Sequence, residues 1–315
     1  MSHAAAANSS GQRPPPLSRQ AALIARDIKL AHSVFALPFA LLGAFLAAPL
    51  DDAGTIGWAS LAGRLALVLV CMVTARTWAM LVNRLADRHL DARNPRTARR
   101  VFASGSVDAR TGAAWLAGSG LAFAGACAAF LALFANPWPL IGALPVLGWL
   151  ALYSFTKRFT AWCHLVLGVA LALSPVAAAV AVGGVQAVTP AVGWIAVMVA
   201  FWVAGFDVIY ALQDIGFDRE TGLRSLPAML GWGGAVWASR AMHAVALGAI
   251  AMAWAVSDRF GPGFGLAVAA TGGLLTAEHW VLHTRGERGI GPAFFTANGV
   301  LGLVVGAIGI ASVIL

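Results

Sequence analysis

The chain has 315 residues, of which 60% are hydrophobic and 11% charged, with a mean hydropathy of +0.79 and a net charge of +8. A soluble domain carries about a quarter charged residues, so this composition excludes an ordinary water-soluble globule and makes the bilayer the solvent of the fold. The basic residues lie between apolar runs, which points to an anionic membrane face or an anionic substrate and away from nucleic acid.

In chain order, residues 1–20 are rich in Ala, Ser and Pro and include Pro14-Pro15-Pro16, the composition of a disordered tail. Residues 21–315 read as one transmembrane domain. The first apolar run, about 30–50, is long enough to span rather than to serve as the core of a cleavable signal. Runs of about 20 apolar residues predict an all-α polytopic protein with nine spans, near 30–50, 59–83, 112–134, 138–156, 163–183, 191–213, 232–256, 262–283 and 292–315. Pro137, Pro139 and Pro145 crowd the fourth.

With the N-terminus cytoplasmic, seventeen Lys and Arg fall on the cytoplasmic side. Two, Arg64 and Arg259, fall on the other, and Arg76 and Arg240 lie inside spans. This asymmetry predicts a multi-pass protein of the inner (cytoplasmic) membrane with its N-terminus inside.

At the end of the second span, Asn83, Asp87 and Asp91 repeat at i, i+4, i+8, one face of a helix. Oxygen donors on one face suit Mg2+, whose sites combine one or two carboxylates with substrate phosphates. Arg93, Arg96, Arg99 and Arg100 follow, and the guanidinium fork suits phosphate oxygens. Together they suggest a metal-bridged diphosphate.

At the end of the sixth span, Asp214 and Asp218 repeat the i, i+4 pattern, with Arg224 beyond them. Asp207 lies two turns deeper, and an intramembrane carboxylate is a functional candidate by default. Arg76 precedes Asn83 by the same seven residues, so Arg76 and Asp207 are expected to face one another as partners across the interior.

The remaining polar residues suggest less. Lys29 and His32 enter the first span as interfacial anchors, with contact to an acceptor carboxylate as a second role. His279 and His283 are i, i+4 beside Glu278 but lack a third, better-placed metal ligand. Cys71, Cys127 and Cys163 read as buried free thiols. The twelve Trp suit interface belts and packing, and the many Gly suit close helix contacts.

At its two aspartate clusters the chain resembles the UbiA superfamily of intramembrane prenyltransferases. Asn83-Arg84-x-x-Asp87-x-x-x-Asp91 is similar to the family's first aspartate-rich motif and Asp214-x-x-x-Asp218 to its second. Tyr153-Ser154-Phe155-Thr156-Lys157-Arg158 is similar to the tyrosine and lysine segment after the fourth helix. The stretch from Lys29 to Phe39, that from Gly205 to Asp214, and those at Glu278-His279 and Phe294 to Gly299 extend the likeness over nearly the whole chain. It looks nearest to the 4-hydroxybenzoate polyprenyltransferase type, and within it to the bacterial branch associated with menaquinone made through futalosine. Val101-Phe102-Ala103 stands where a Leu-Pro pair often follows the first motif's arginines, and Arg84 where many members have an acidic or amide residue.

The resemblance implies nine helices around a central cavity, with both motifs facing each other at its cytoplasmic side. It implies Mg2+, held by Asn83, Asp87 and Asp91 and by Asp214 and Asp218, and a polyprenyl diphosphate donor gripped by Arg96, Arg100, Lys157, Arg158 and Arg224. An aromatic acid, 4-hydroxybenzoate or a related naphthoate, would be prenylated in ubiquinone or menaquinone biosynthesis, with the isoprenoid tail among apolar helices and lipid. Asp207, Arg76 or Tyr153 would orient the acceptor or take its proton. Other acceptors, haem or a lipid, and a membrane transporter are the rival readings.

Overall fold

The structure is a computed structural model that describes residues 16–28, 35–50 and 56–315. Among the described residues its regular structure is all helix, apart from one isolated antiparallel bridge, Leu50 to Ile56. The amphipathic α1 (Leu17–Asp27) takes up the last residues of the stretch expected as a tail. Then come α2 (Leu37–Leu46), α3 (Trp58–Ala86), the short α4 (Arg88–Arg93), α5 (Ala109–Phe134), α6 (Trp138–Thr156) and α7 (Cys163–Gly183). The second half holds α8 (Pro190–Ala211), the short α9 (Ile215–Thr221), α10 (Leu226–Ala255), α11 (Gly265–Arg285) and α12 (Asn298–Ile314).

Among the described residues seven helices are long and apolar enough to cross a membrane, against the nine expected. Two expected spans account for the difference. The first is described only as the 10-residue α2, entered through Pro38, and Lys29 and His32 lie outside the described residues. The other is α11, whose 21 residues include Glu278, His279, His283 and Arg285. Its polar content lowers its apolar character, while its length still matches a spanning helix.

The bundle has two halves. α3, α5 and α6 pack on one another and on α7; α2, α8, α10, α11 and α12 form the other half, with α7 against both α2 and α8. Its largest core cluster includes the fully buried Trp202, whose ring lies 5.3 Å from Phe39 and 5.2 Å from Phe206.

Small residues permit the close approaches, as expected where lipid supplies no hydrophobic drive between helices. A Cβ on Gly168 of α7 would collide with the carbonyl of Ala200 on α8, and one on Gly43 with the backbone of Pro175. Gly168→Leu should therefore destabilise the protein by about 1–3 kcal/mol, read as a lowered thermal midpoint in detergent. Gly125→Leu, built where nothing stands within 4 Å, should leave the midpoint unchanged. Equal midpoints for the two variants would show that the α7–α8 seam does not depend on that contact.

Polar ends fix where the functional helices stop. α3 breaks at Asp87 (φ −96°, ψ 3°), so the first cluster turns a corner into α4. Gly222, in the left-handed region (φ 71°), closes α9 and brings Ser225 back under Asp218. Ser225 also caps α10 by accepting from the Ala228 amide.

Candidate active site

Both aspartate clusters lie at one end of the bundle and are in contact. Arg96, in the turn segment after α4, donates through Nε (3.0 Å) and a terminal nitrogen (2.6 Å) to the two oxygens of Asp214. That fork spans 118 residues of sequence. Asn94 Nδ2 reaches the same carboxylate at 3.4 Å, and a second Arg96 nitrogen donates to the Tyr210 hydroxyl at 3.2 Å. Burial on its own would lower the Arg96 guanidinium, but the charge of Asp214 outweighs it and the net shift is upward.

The other carboxylates are held as tightly. Asp87, 1% exposed, takes Lys157 Nζ at 2.7 Å and Arg158 at 2.9 Å from the end of α6. Asp91 receives one nitrogen of Arg100 on both its oxygens, at 2.8 and 2.9 Å. Asp218 accepts from the Ser225 hydroxyl at 2.8 Å. The Asn83 side chain lies 3.4 Å from Asp87 and accepts from Arg84 at 2.7 Å, while Arg84 pairs with Asp27 of α1 at 3.2 Å. Arg224 is brought near but is otherwise engaged: its guanidinium donates to the Phe159 carbonyl and its amide to that of Lys157.

Asp87, Asp91 and Asp214 are thus met by Lys157 and Arg158, by Arg100 and by Arg96 respectively, charge against charge, while Asp218 is held by the Ser225 hydroxyl. Among the described residues no three His, Cys, Asp or Glu side chains converge as a closed metal site. The oxygen donors nevertheless fit a Mg2+ site completed by phosphate, since each arm offers one or two carboxylates and leaves the other positions to substrate and water.

Beneath this layer lies an apolar cavity of about 330 Å³ between α3, α5, α6 and α7. Arg76 and Tyr153 line it on the aspartate side, Trp138 and Pro139 at the far end, with Met72, Phe123, Phe130, Leu171 and Ala177 along the wall. Cys71 and Cys127, also on the wall, are free, with sulfurs 4.0 Å apart. Among the described residues the buried Arg76 Nε has no hydrogen-bond partner.

The expected pairing of Arg76 with Asp207 is not formed. Asp207 bonds His164 Nδ1 at 2.7 Å instead. The reason is helix adjacency: α8 packs along α7, which carries His164, whereas α3, which carries Arg76, packs on α5 and α6. His164 is 3% exposed and its Nε2 has no partner among the described residues; the Asp207 side chain stays 21% exposed. Sequence reading passed over His164 because it lies in the apolar run of α7. The rule that singled out Asp207, that an ionisable residue inside a span is functional by default, applies to it equally.

A family model described as the UbiA prenyltransferase family matches residues 36–300. A 4-hydroxybenzoate octaprenyltransferase of Nitrosomonas europaea is 34% identical over 169 residues, 53% of this chain and 55% of its own length. One of Paracidovorax citrulli is 33% identical over 244 residues, covering 76% of this chain and 78% of its own. For several such curated relatives the chain spans only about half their length. The fold superposes on the apo structure of a UbiA homolog from Aeropyrum pernix K1 with a TM-score of 0.76 and 30% identity, covering 91% of this chain and 99% of that one. It also superposes on a UbiA homolog from Archaeoglobus fulgidus bound to GPP and Mg2+, with a TM-score of 0.68 and 18% identity, over 93% and 100% of the two chains.

Proposed function

The chain belongs to the UbiA prenyltransferase family, and from that premise we propose that this integral membrane protein transfers a polyprenyl group from its diphosphate to the ring of an aromatic acid in quinone biosynthesis. The observation that carries the proposal is the joined, charge-balanced pair of aspartate clusters above an apolar cavity. Carboxylates alone repel a diphosphate; Mg2+, when bound by Asn83, Asp87 and Asp91 and by Asp214 and Asp218, would supply positive charge toward the phosphate oxygens. Arg96, Arg100, Lys157 and Arg158 now spend their charge on those carboxylates. On donor binding they would turn to the diphosphate and stabilise the charge that develops on it as the allylic C–O bond breaks. Arg224, bound to the Phe159 carbonyl, would hold the α6–α7 turn that presents Lys157.

The isoprenoid chain would run down the cavity past Tyr153 toward Trp138, in apolar surroundings that keep water from the carbocation. The acceptor ring would enter between Tyr153, Arg76 and Asp207, with the unpaired Arg76 matching its carboxylate. Asp207, oriented by His164, would take the proton displaced from the acceptor, in the manner of a positioned general base. The excess of basic residues on the aspartate side supports a cytoplasmic position for that side, in an inner membrane.

The test is transfer by purified protein in nanodiscs, offered a polyprenyl diphosphate with 4-hydroxybenzoate, a dihydroxynaphthoate, haem or a lipid alcohol. A prenylated aromatic acid, identified by mass, is the expected product. Prenylation of haem or the alcohol only would reassign the acceptor, and no product with any of them would favour a transporter. The cavity makes a further prediction. Gly142→Trp fills its wall where nothing stands within 4 Å of a new Cβ. Turnover of a long donor should fall at least about tenfold, as for a well-packed site made too small, while geranyl diphosphate should be used nearly as before. Equal losses for long and short donors would show that the tail lies elsewhere.

A further inference from the structure

A second pocket, polar and of about 470 Å³, opens between α10 and α11, and none of its lining residues belongs to either aspartate motif. Trp232, Trp237, Arg240, His279, His283 and Glu287 line it. It lies toward the aspartate end of the bundle. α10 starts there, just after the Ser225 that holds Asp218, and α11 finishes there.

Arg240 is the unusual member. It stands inside a helix long and apolar enough to cross the membrane, yet among the described residues it forms no ion pair. Its recorded partner is the ring of Trp237, 4.7 Å from the guanidinium carbon. A cation on a membrane helix needs an anion or a route to water, and Trp237 beside it is 68% exposed, an aromatic of the kind that suits a lipid interface. The pocket floor is tied together by polar contacts. His279 Nε2 lies 3.0 Å from His243 Nδ1, and buried His243 in turn lies 3.3 Å from the Trp202 carbonyl of α8. Next to His279, Glu278 accepts from Asn298, whose oxygen takes the Trp202 indole N–H at 2.6 Å. A guanidinium without an ion pair, two imidazoles and two Trp around one pocket are complementary to a phosphodiester whose acyl chains lie in the bilayer.

We propose that this pocket binds the headgroup of an anionic phospholipid, its phosphate on Arg240 and its chains along the outer face of α10 and α11. Glu287 at the mouth sets the limit on how much negative charge the headgroup carries. The site is separate from the prenyl-transfer machinery and does not rest on the identity of the acceptor.

Native mass spectrometry of the full chain in detergent tests it, with phosphatidylglycerol and phosphatidylcholine of the same acyl chains supplied in competition. Wild-type protein should retain one phosphatidylglycerol in preference to phosphatidylcholine. Arg240→Gln should weaken that retention at least about fivefold, the worth of one basic residue near an anionic surface. Arg240→Lys should largely keep it, and Glu287→Gln should strengthen it. Retained prenyl transfer by Arg240→Gln would show that the variant is folded and that the lost lipid is not one bound at the aspartate clusters. Equal retention of the two lipids, or undiminished phosphatidylglycerol on Arg240→Gln, would overturn the proposal. So would displacement of the lipid by millimolar inorganic phosphate, which would make the ligand a soluble anion.

Discussion

Asp87→Ala and Asp214→Ala should each cut prenyl transfer on the order of a thousandfold, about 4 kcal/mol of transition-state stabilisation, with the protein still folded. Each carboxylate sits on a different arm and each is locked to cations: Asp87 to Lys157 and Arg158, Asp214 to the fork of Arg96. Removing one has two opposite effects. The site loses an oxygen donor for Mg2+, which lowers turnover. It also frees cations that the carboxylate had occupied, which favours a naked diphosphate. Asp87→Ala should therefore bind a prenyl diphosphate without magnesium more tightly than wild type, while transferring almost none of it. Measuring turnover and magnesium-free affinity on the same preparation separates this outcome from simple misfolding, which would lower both.

Asp207→Asn should lower kcat by roughly 10²- to 10⁴-fold, the range for loss of a positioned proton acceptor, and leave donor affinity unchanged. The buried partner decides the pattern of double variants. Asp207 and His164 are 2.7 Å apart, so their substitutions should be far from additive in activity: His164→Gln on top of Asp207→Asn should cost little more. Arg76 makes no contact with Asp207, so Arg76→Leu and Asp207→Leu should add within about 0.5 kcal/mol, as independent sites do. Coupling between Arg76 and Asp207 with none between His164 and Asp207, measured by the same cycles, would reverse this assignment.

What the sequence made legible follows from range. The i, i+4 aspartates announce themselves because helix geometry alone puts them on one face, and the structure keeps Asp87 and Asp91 together at the α3–α4 corner. Which cation meets which carboxylate was not readable: Arg96 crosses 118 positions to Asp214, and Asp87 takes its partners from the end of α6. The pairing of Asp207 depended on which helices are neighbours, and equal spacing from two motifs carries no information about that. The first span and α11 were less legible for a different reason. A run of apolar letters does not reveal where Pro38 starts a helix, or how far Glu278 and His279 are shielded by Asn298 and His243.

The most direct measurement is equilibrium binding of a non-reactive prenyl thiodiphosphate to purified protein, with and without Mg2+, for wild type, Asp87→Ala and Asp214→Ala. If the two clusters jointly hold a metal-bridged diphosphate, binding by wild type strengthens sharply with magnesium and that increment disappears in both variants. Binding that ignores magnesium, or a full increment in either alanine variant, would contradict a shared site between the two arms.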